Sequence, residues 1–260
     1  GLYKTVGNLA LEGFTAPKIL WMRQHEPDNY KRLKTVMLAK DYVRFRMTGE
    51  ISTDPSDASG TILYDIRNRI WSQKTIQSLN IDPSFFPNVI NSTDIAGNVS
   101  SGISNKLDIP ANLPVICGGA DNAVSAVATG ITIPGLVQSS IGTSGTMLSP
   151  INRPVIEKQM RLHTFCHCIP DSWYVMGTIL SAGNSLKWLR TTIGGNESYD
   201  SMMNSATDVN AGSEGLIFLP YLSGERTPHN DPNARGVFFG LNLNHTKAHL
   251  TRSILEGVCF

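Results

Sequence analysis

Asp121 is the acid in this chain best placed to meet a ligand. It lies in Val115-Ile-Cys-Gly-Gly-Ala-Asp-Asn-Ala-Val-Ser-Ala-Val-Ala128, which reads as a short buried apolar strand over 115–117, a Gly118-Gly119 turn and a helix of small residues over 122–128. An acid in that position stands at the carboxyl end of a strand, the edge of an open α/β sheet where ligands bind. Asp is also a common helix cap, and the residues alone leave both roles open.

Two further stretches have the residues to hold an anion. Gly142-Thr-Ser-Gly145 joins two strand-like runs within 135–148, and such a turn can aim backbone N–H groups and two hydroxyls at a phosphate. Hairpins use the same residues with no ligand. In Ser181-Ala-Gly-Asn-Ser-Leu-Lys-Trp-Leu-Arg190 a turn containing Gly183 opens an amphipathic helix whose free N–H groups favour an anion, unless Ser181 or Asn184 simply caps it.

Other reactive residue types carry less. Asp54 and Asp57 lie in a polar loop over 53–60 whose Ser, Asp and Pro are ordinary turn chemistry. His163-Thr-Phe-Cys-His-Cys168 holds four potential metal ligands in six positions. Strand alternation would turn His167 away from Cys166 and Cys168, no second cluster completes a tetrahedral site, and no metal is expected there. Ser144 as an acyl-transfer nucleophile lacks a His and an acid at readable spacing.

The positioning elements are set by local signals. Thr15 and Pro17 start a helix that ends near Glu26-Pro27; residues 41–48 form another, closed by Gly49. A short strand is expected over 36–38, a hairpin over 61–71 around Arg67-Asn-Arg69, and a helix behind Ser72. Later come a helix over 101–107, strands over 173–177 and 215–222, a long polar loop over 223–235, and a stretch over 236–241 that turns into a helix from Thr246. A domain boundary is expected near 130–135, taken at 133/134.

With 260 residues, 41% hydrophobic content and a formal net charge of +1, the chain can bury a core and shows no charge excess suited to nucleic acid or an anionic membrane. Its four cysteines form no regular framework, and no apolar run approaches the length of a membrane helix, so a soluble cytoplasmic protein is expected. Gly1 is not an initiator Met and Glu256-Gly-Val-Cys-Phe260 stops inside a helical pattern; a fragment is expected.

Taken together these stretches resemble the FGGY carbohydrate kinases, and among them the xylulokinases. Gly13-Phe-Thr-Ala-Pro-Lys-Ile-Leu-Trp-Met-Arg-Gln-His25 looks like the family's first signature; Gly236-Val-Phe-Phe-Gly-Leu241 with His249-Leu-Thr-Arg-Ser-Ile-Leu-Glu256 looks like its second. Ser223-Gly-Glu-Arg-Thr-Pro-His-Asn-Asp-Pro-Asn-Ala-Arg-Gly236 tips the resemblance toward xylulokinases, and it extends over essentially the whole chain.

The resemblance implies an α/β fold of the actin-like, ribonuclease-H-like ATPase type, two domains around a cleft. Residues 1–133 would end the sugar-binding domain and 134–260 begin the nucleotide-binding domain, both incomplete. It implies ATP-dependent phosphorylation of a ketopentose, D-xylulose to D-xylulose 5-phosphate, with Mg²⁺. Asp121 would be the general base, Asn122 would face the sugar beside it, Gly142, Thr143 and Ser144 would hold phosphate, and Gly183 would approach the nucleotide. The family's amino-terminal Asp-x-Gly-Thr loop and its adenosine motif are absent, so the isolated chain is expected to bind nucleotide weakly and turn over no sugar. Homodimerisation fits the family. The competing expectations are a non-catalytic actin-like binding or assembly fragment, and an FGGY kinase for another polyol or sugar acid.

Overall fold

Local sequence signals set many element boundaries in this computed structural model, which describes residues 2–260. Ser72 accepts the Thr75 N–H and opens Gln73–Ser78, and Gly49 in the left-handed conformation closes Ala39–Thr48. Thr246 opens Lys247–Cys259 through a capping box completed by His249. The expected helix over 101–107 is Ser101–Leu107.

Several expectations change. Thr15 is the first residue of Thr15–His25, behind Phe14, and makes no cap bond. Residues 36–38 form no strand; beyond the bond from Val36 N–H to the Phe85 carbonyl they have no ladder to join. Residues 53–60, expected as a polar loop, hold a buried helix, Pro55–Ser59, capped by Asp54. Tyr199–Thr207, rich in Ser and Asn, is a helix because Met202 and Ala206, four apart, bury on one face while Ser198 caps its start.

The chain packs as two compact units, residues up to Val137 with Leu148–Val175, and Gln138–Met147 with Met176–Phe260. In the first unit, Val6, Ile19, Ile62, Leu63, Ile76 and Ile81 form one core cluster. Each large aliphatic chain there contributes about 1.5–3 kcal/mol by leaving water. A neighbouring cluster joins Ala58, Tyr64, Ile66, Cys166 and Trp173, whose indole N–H donates to the Ile66 carbonyl at 2.6 Å. The expected hairpin pairs Tyr64–Asp65 with Ile70–Trp71, and Ile95–Asn98 pairs antiparallel with Pro114–Ile116. That second strand is less buried than its apolar sequence suggests: Ile116 is exposed and only the following Cys117 is fully covered.

In the second unit the core is Leu189, Met202, Phe218 and Ile254, where Gly183–Thr192, Tyr199–Thr207 and Lys247–Cys259 meet the Ile217–Leu219 strand. That strand pairs with Val237–Phe239. A separate four-stranded sheet has the order Gln138–Ile141, Gly145–Ile151, Trp173–Ile179, His163–Cys166.

Candidate active site

Asp121 is the first residue of the Asp121–Ala128 helix, and Ala120 occupies the cap position without a side-chain cap bond. The capping role left open by the sequence therefore does not apply. The exposed carboxylate uses Oδ1 to accept from the Asn122 N–H at 2.7 Å and from Asn122 Nδ2 at 3.2 Å. Asn122 thus braces the acid beside it, and a carboxylate in the first turn also suits the helix dipole.

The backbone leading to Asp121 is pinned from several sides within the first unit. Arg44 Nη1 donates to the Cys117 carbonyl at 2.6 Å, Gly118 N–H to the Ser92 carbonyl at 2.9 Å, and Ala120 N–H to Ser56 Oγ at 2.8 Å. Gly118 adopts φ +76°, which other residues take at a cost. A Cβ on Gly119 would stand 2.7 Å from Cys168 Cβ and 3.1 Å from Ser56 Oγ, so only glycine lets the turn settle this close.

Behind these contacts lies a buried charge network that local sequence does not reveal. Lys40 Nζ reaches Asp41 at 2.6 Å, Asp54 at 3.0 Å and Asp57 at 3.2 Å, and Arg44 adds a contact to Asp41 at 3.1 Å. Burial weakens the hold of Lys40 on its proton, but Asp54 and the other two acids outweigh it and raise its pKa. Two cations face three acids. Asp57, whose side chain is 21% exposed against 1% and 0% for Asp41 and Asp54, is pushed up to about 6 by burial, with Lys40 opposing and Asp54 adding. Asp54 and Asp57 were legible as acids; Lys40, Arg44, Ser56 and Ser92 were not, because Ser56 and Ala120 stand 64 positions apart and Arg44 and Cys117 73.

The Cys-His-Cys segment packs under the same turn. The strand ends at Cys166, so alternation does not govern His167 and Cys168. Contrary to the alternation argument, Cys168 Sγ lies 3.4 Å from His167 Nδ1, which also accepts the Ile169 N–H at 3.2 Å. Burial lowers the pKa of His167 and raises that of Cys168 to about 11. Among the described residues no group of three or more His, Cys, Asp or Glu is arranged to hold a metal ion.

In the second unit the Gly142–Gly145 turn is held by backbone. Ala182 and Asn184 N–H donate to the Thr143 carbonyl at 2.9 and 3.2 Å, and Gly183 N–H donates to the Gly142 carbonyl at 2.9 Å. These are the opening N–H groups of Gly183–Thr192, so they are not free for an anion, and neither Ser181 nor Asn184 caps the helix. A Cβ on Gly183 would meet the Gly142 carbonyl oxygen at 2.6 Å, which makes glycine the residue this junction accepts. The exposed Thr143 and half-buried Ser144 hydroxyls take no part in these bonds.

The long polar loop over 223–235 braces the strand entering this junction. Buried Glu225 accepts the Leu180 N–H at 3.0 Å and the Arg226 N–H at 2.7 Å through Oε1, while its Oε2 has no hydrogen-bond partner among the described residues. Burial raises its pKa. Thr227 Oγ1 accepts the Thr178 N–H at 3.0 Å from the same strand.

Comparison with known proteins gives this arrangement a family. The N-terminal domain of the FGGY family of carbohydrate kinases matches residues 1–128 and its C-terminal domain residues 137–260. A xylulose kinase of Staphylococcus xylosus is 42% identical over 259 residues, covering 100% of this chain and 54% of its own length. A crystal structure of a xyloylose kinase from Brucella ovis superposes with a TM-score of 0.93 at 35% identity, covering 99% of this chain and 53% of that one. A gluconate kinase from Lactobacillus acidophilus superposes at 0.92 with 27% identity, covering 99% and 52%. The chain spans about half the length of the relatives it matches. It belongs to the FGGY family of carbohydrate kinases.

Proposed function

We propose that the protein containing this chain phosphorylates a ketopentose with ATP, D-xylulose to D-xylulose 5-phosphate. The observation that carries the reading is an exposed, Asn-braced carboxylate on a pinned glycine turn. The similarity to xylulose kinases chooses the sugar. In this reading Asp121 accepts the proton of the sugar 5-hydroxyl as that oxygen bonds the γ-phosphorus, and the bond to the bridging β–γ oxygen breaks to release ADP. Asn122 holds Asp121 in place and faces the sugar.

The Thr143 and Ser144 hydroxyls supply donors for phosphate, Gly142, whose N–H is taken by the Ser144 carbonyl at 2.9 Å, shapes the turn that presents them, and Gly183 lets the helix start close against that turn beside the nucleotide. Mg²⁺ would accompany ATP on its own phosphates, where it neutralises charge. Among the described residues no group of acids, His or Cys forms a protein cage for it. The division at 133/134 separates the part carrying the base from the part carrying the phosphate turn.

A coupled ADP assay tests the reading, with D-xylulose and gluconate as competing acceptors. D-Xylulose-dependent turnover is expected, falling by about 10³-fold or more in Asp121→Ala with the fold retained. Turnover on gluconate alone would favour a sugar-acid kinase, which the similarity to a gluconate kinase makes the second reading. No turnover with either acceptor would favour a binding or assembly role.

A further inference from the structure

We propose that Ser56 is a positioning residue that sets where the Asp121 carboxylate stands, an inference that rests on the kinase reading. Ser56 is 1% exposed, sits on the short buried helix Pro55–Ser59, and touches Ala120, the residue before Asp121. Its hydroxyl has one proton, and that proton goes to Asp54 Oδ2. The oxygen is left as an acceptor and takes the Ala120 N–H at 2.8 Å. That N–H is a cap-position donor, and Ala120 has no side-chain oxygen to replace the bond.

Asp54 fixes the direction in which the hydroxyl points. Its Oδ2 also accepts from Ser56 N–H at 2.9 Å and Ser92 Oγ at 2.7 Å, and its Oδ1 accepts from Asp57 N–H at 3.3 Å and faces Lys40 Nζ at 3.0 Å. A fully buried carboxylate with this donor set can only accept, so the Ser56 proton has one destination. Rotating the hydroxyl toward Ala120 would set two donors against each other. The chain of contacts therefore runs Lys40, Asp54, Ser56, Ala120 N–H, and then the first turn of the helix that presents Asp121. Gly119 is what allows the approach. Phosphoryl transfer depends on holding the base near the reacting hydroxyl, and small displacements are costly.

Ser56→Ala removes the acceptor with little change in volume. In the 260-residue chain the Ala120 amide should exchange about 10-fold faster by NMR, with the core amides unchanged. In the complete kinase kcat should fall about 10–100-fold while KM for ATP moves less than about 3-fold. Ser56→Thr, which keeps the hydroxyl, should recover part of both effects. Ile76→Ala, in the core cluster away from this turn, serves as a variant that loses at least as much stability and should show neither in its folded fraction.

The proposal is overturned if Ser56→Ala keeps kcat within about 2-fold of the parent, if Ala120 exchange does not change, or if kcat falls equally in Ile76→Ala. Should Ser56→Ala not fold, Ser56→Cys, similar in size and a weak acceptor, decides by the same two measurements. An inactive parent protein would instead sink the kinase reading and this inference with it. An active parent with an active Ser56→Ala sinks the inference alone.

Discussion

The two candidate turns are built by opposite means. The turn before Asp121 is held by buried side chains drawn from distant parts of the first unit, with Ser56, Arg44 and the Lys40 acids behind it. The Gly142–Gly145 turn is held by its own carbonyls, which take the first N–H groups of a helix in the second unit. A turn locked by charges can place a base with little freedom, at the expense of a network that fails together. A turn locked by backbone leaves its hydroxyls free for a ligand and tolerates changes in side chain but not in backbone volume.

The largest expected effect attacks the first half of that contrast. Lys40→Met leaves Asp41, Asp54 and Asp57 without their shared cation and should cost about 3 kcal/mol, the low end for a broken buried pair because part of Lys40 reaches solvent. Urea unfolding measures it. By contrast Thr143→Ala should stay within about 0.5 kcal/mol. Equal losses in the two variants would abolish the distinction.

Glu225 sharpens the comparison, since it is the buried acid that braces the second unit's strand. Glu225→Ala leaves the Leu180 N–H unanswered and should cost about 2 kcal/mol, whereas Glu225→Gln keeps an acceptor and should cost under about 1. The raised pKa makes the ionised acid the less stable partner of the fold, so Gln should gain on the parent as pH rises. Thermal denaturation at pH 5 and pH 8 shows this, and a Gln variant as damaged as Ala would remove the brace.

Gly183→Ala tests the backbone lock. Its Cβ would stand 2.6 Å from a carbonyl oxygen that cannot swing aside, and a loss of about 1–2 kcal/mol is expected with faster exchange at Ala182 and Asn184. A variant as stable as the parent would mean that the junction is looser than its bonds imply.

The smallest effect is a pH dependence. Asp57 is raised from 3.8 to about 6, so in that interval the folded chain holds a proton that the unfolded chain releases. Its contribution to stability is full below 3.8 and is lost as pH climbs through about 6. Asp57→Asn should flatten that fall by roughly 1 kcal/mol, discounted for partial exposure and for the lost contact with Lys40. An unchanged slope between pH 4 and pH 7 would show that Asp57 does not titrate there.

What was legible in the sequence was local. Ser72, Gly49 and Thr246 announce helix ends because capping is settled within three or four residues, and the Gly142–Gly145 turn with its flanking strands is visible for the same reason. Asp121 could be singled out, but its choice between cap and free carboxylate depended on Ala120 taking the cap position. Only the tertiary structure decided the rest. Pro55–Ser59 becomes a buried helix behind Asp54, where Lys40 meets Asp54 and Asp57, and Cys168 meets His167 because the strand stops at Cys166. The N–H groups of Ala182, Gly183 and Asn184 face carbonyls 39 to 41 residues earlier in the chain rather than open solvent. Spacing along the chain carries information about bonds closed within a turn; it carries none about which buried charge will find which partner, because that is settled by packing.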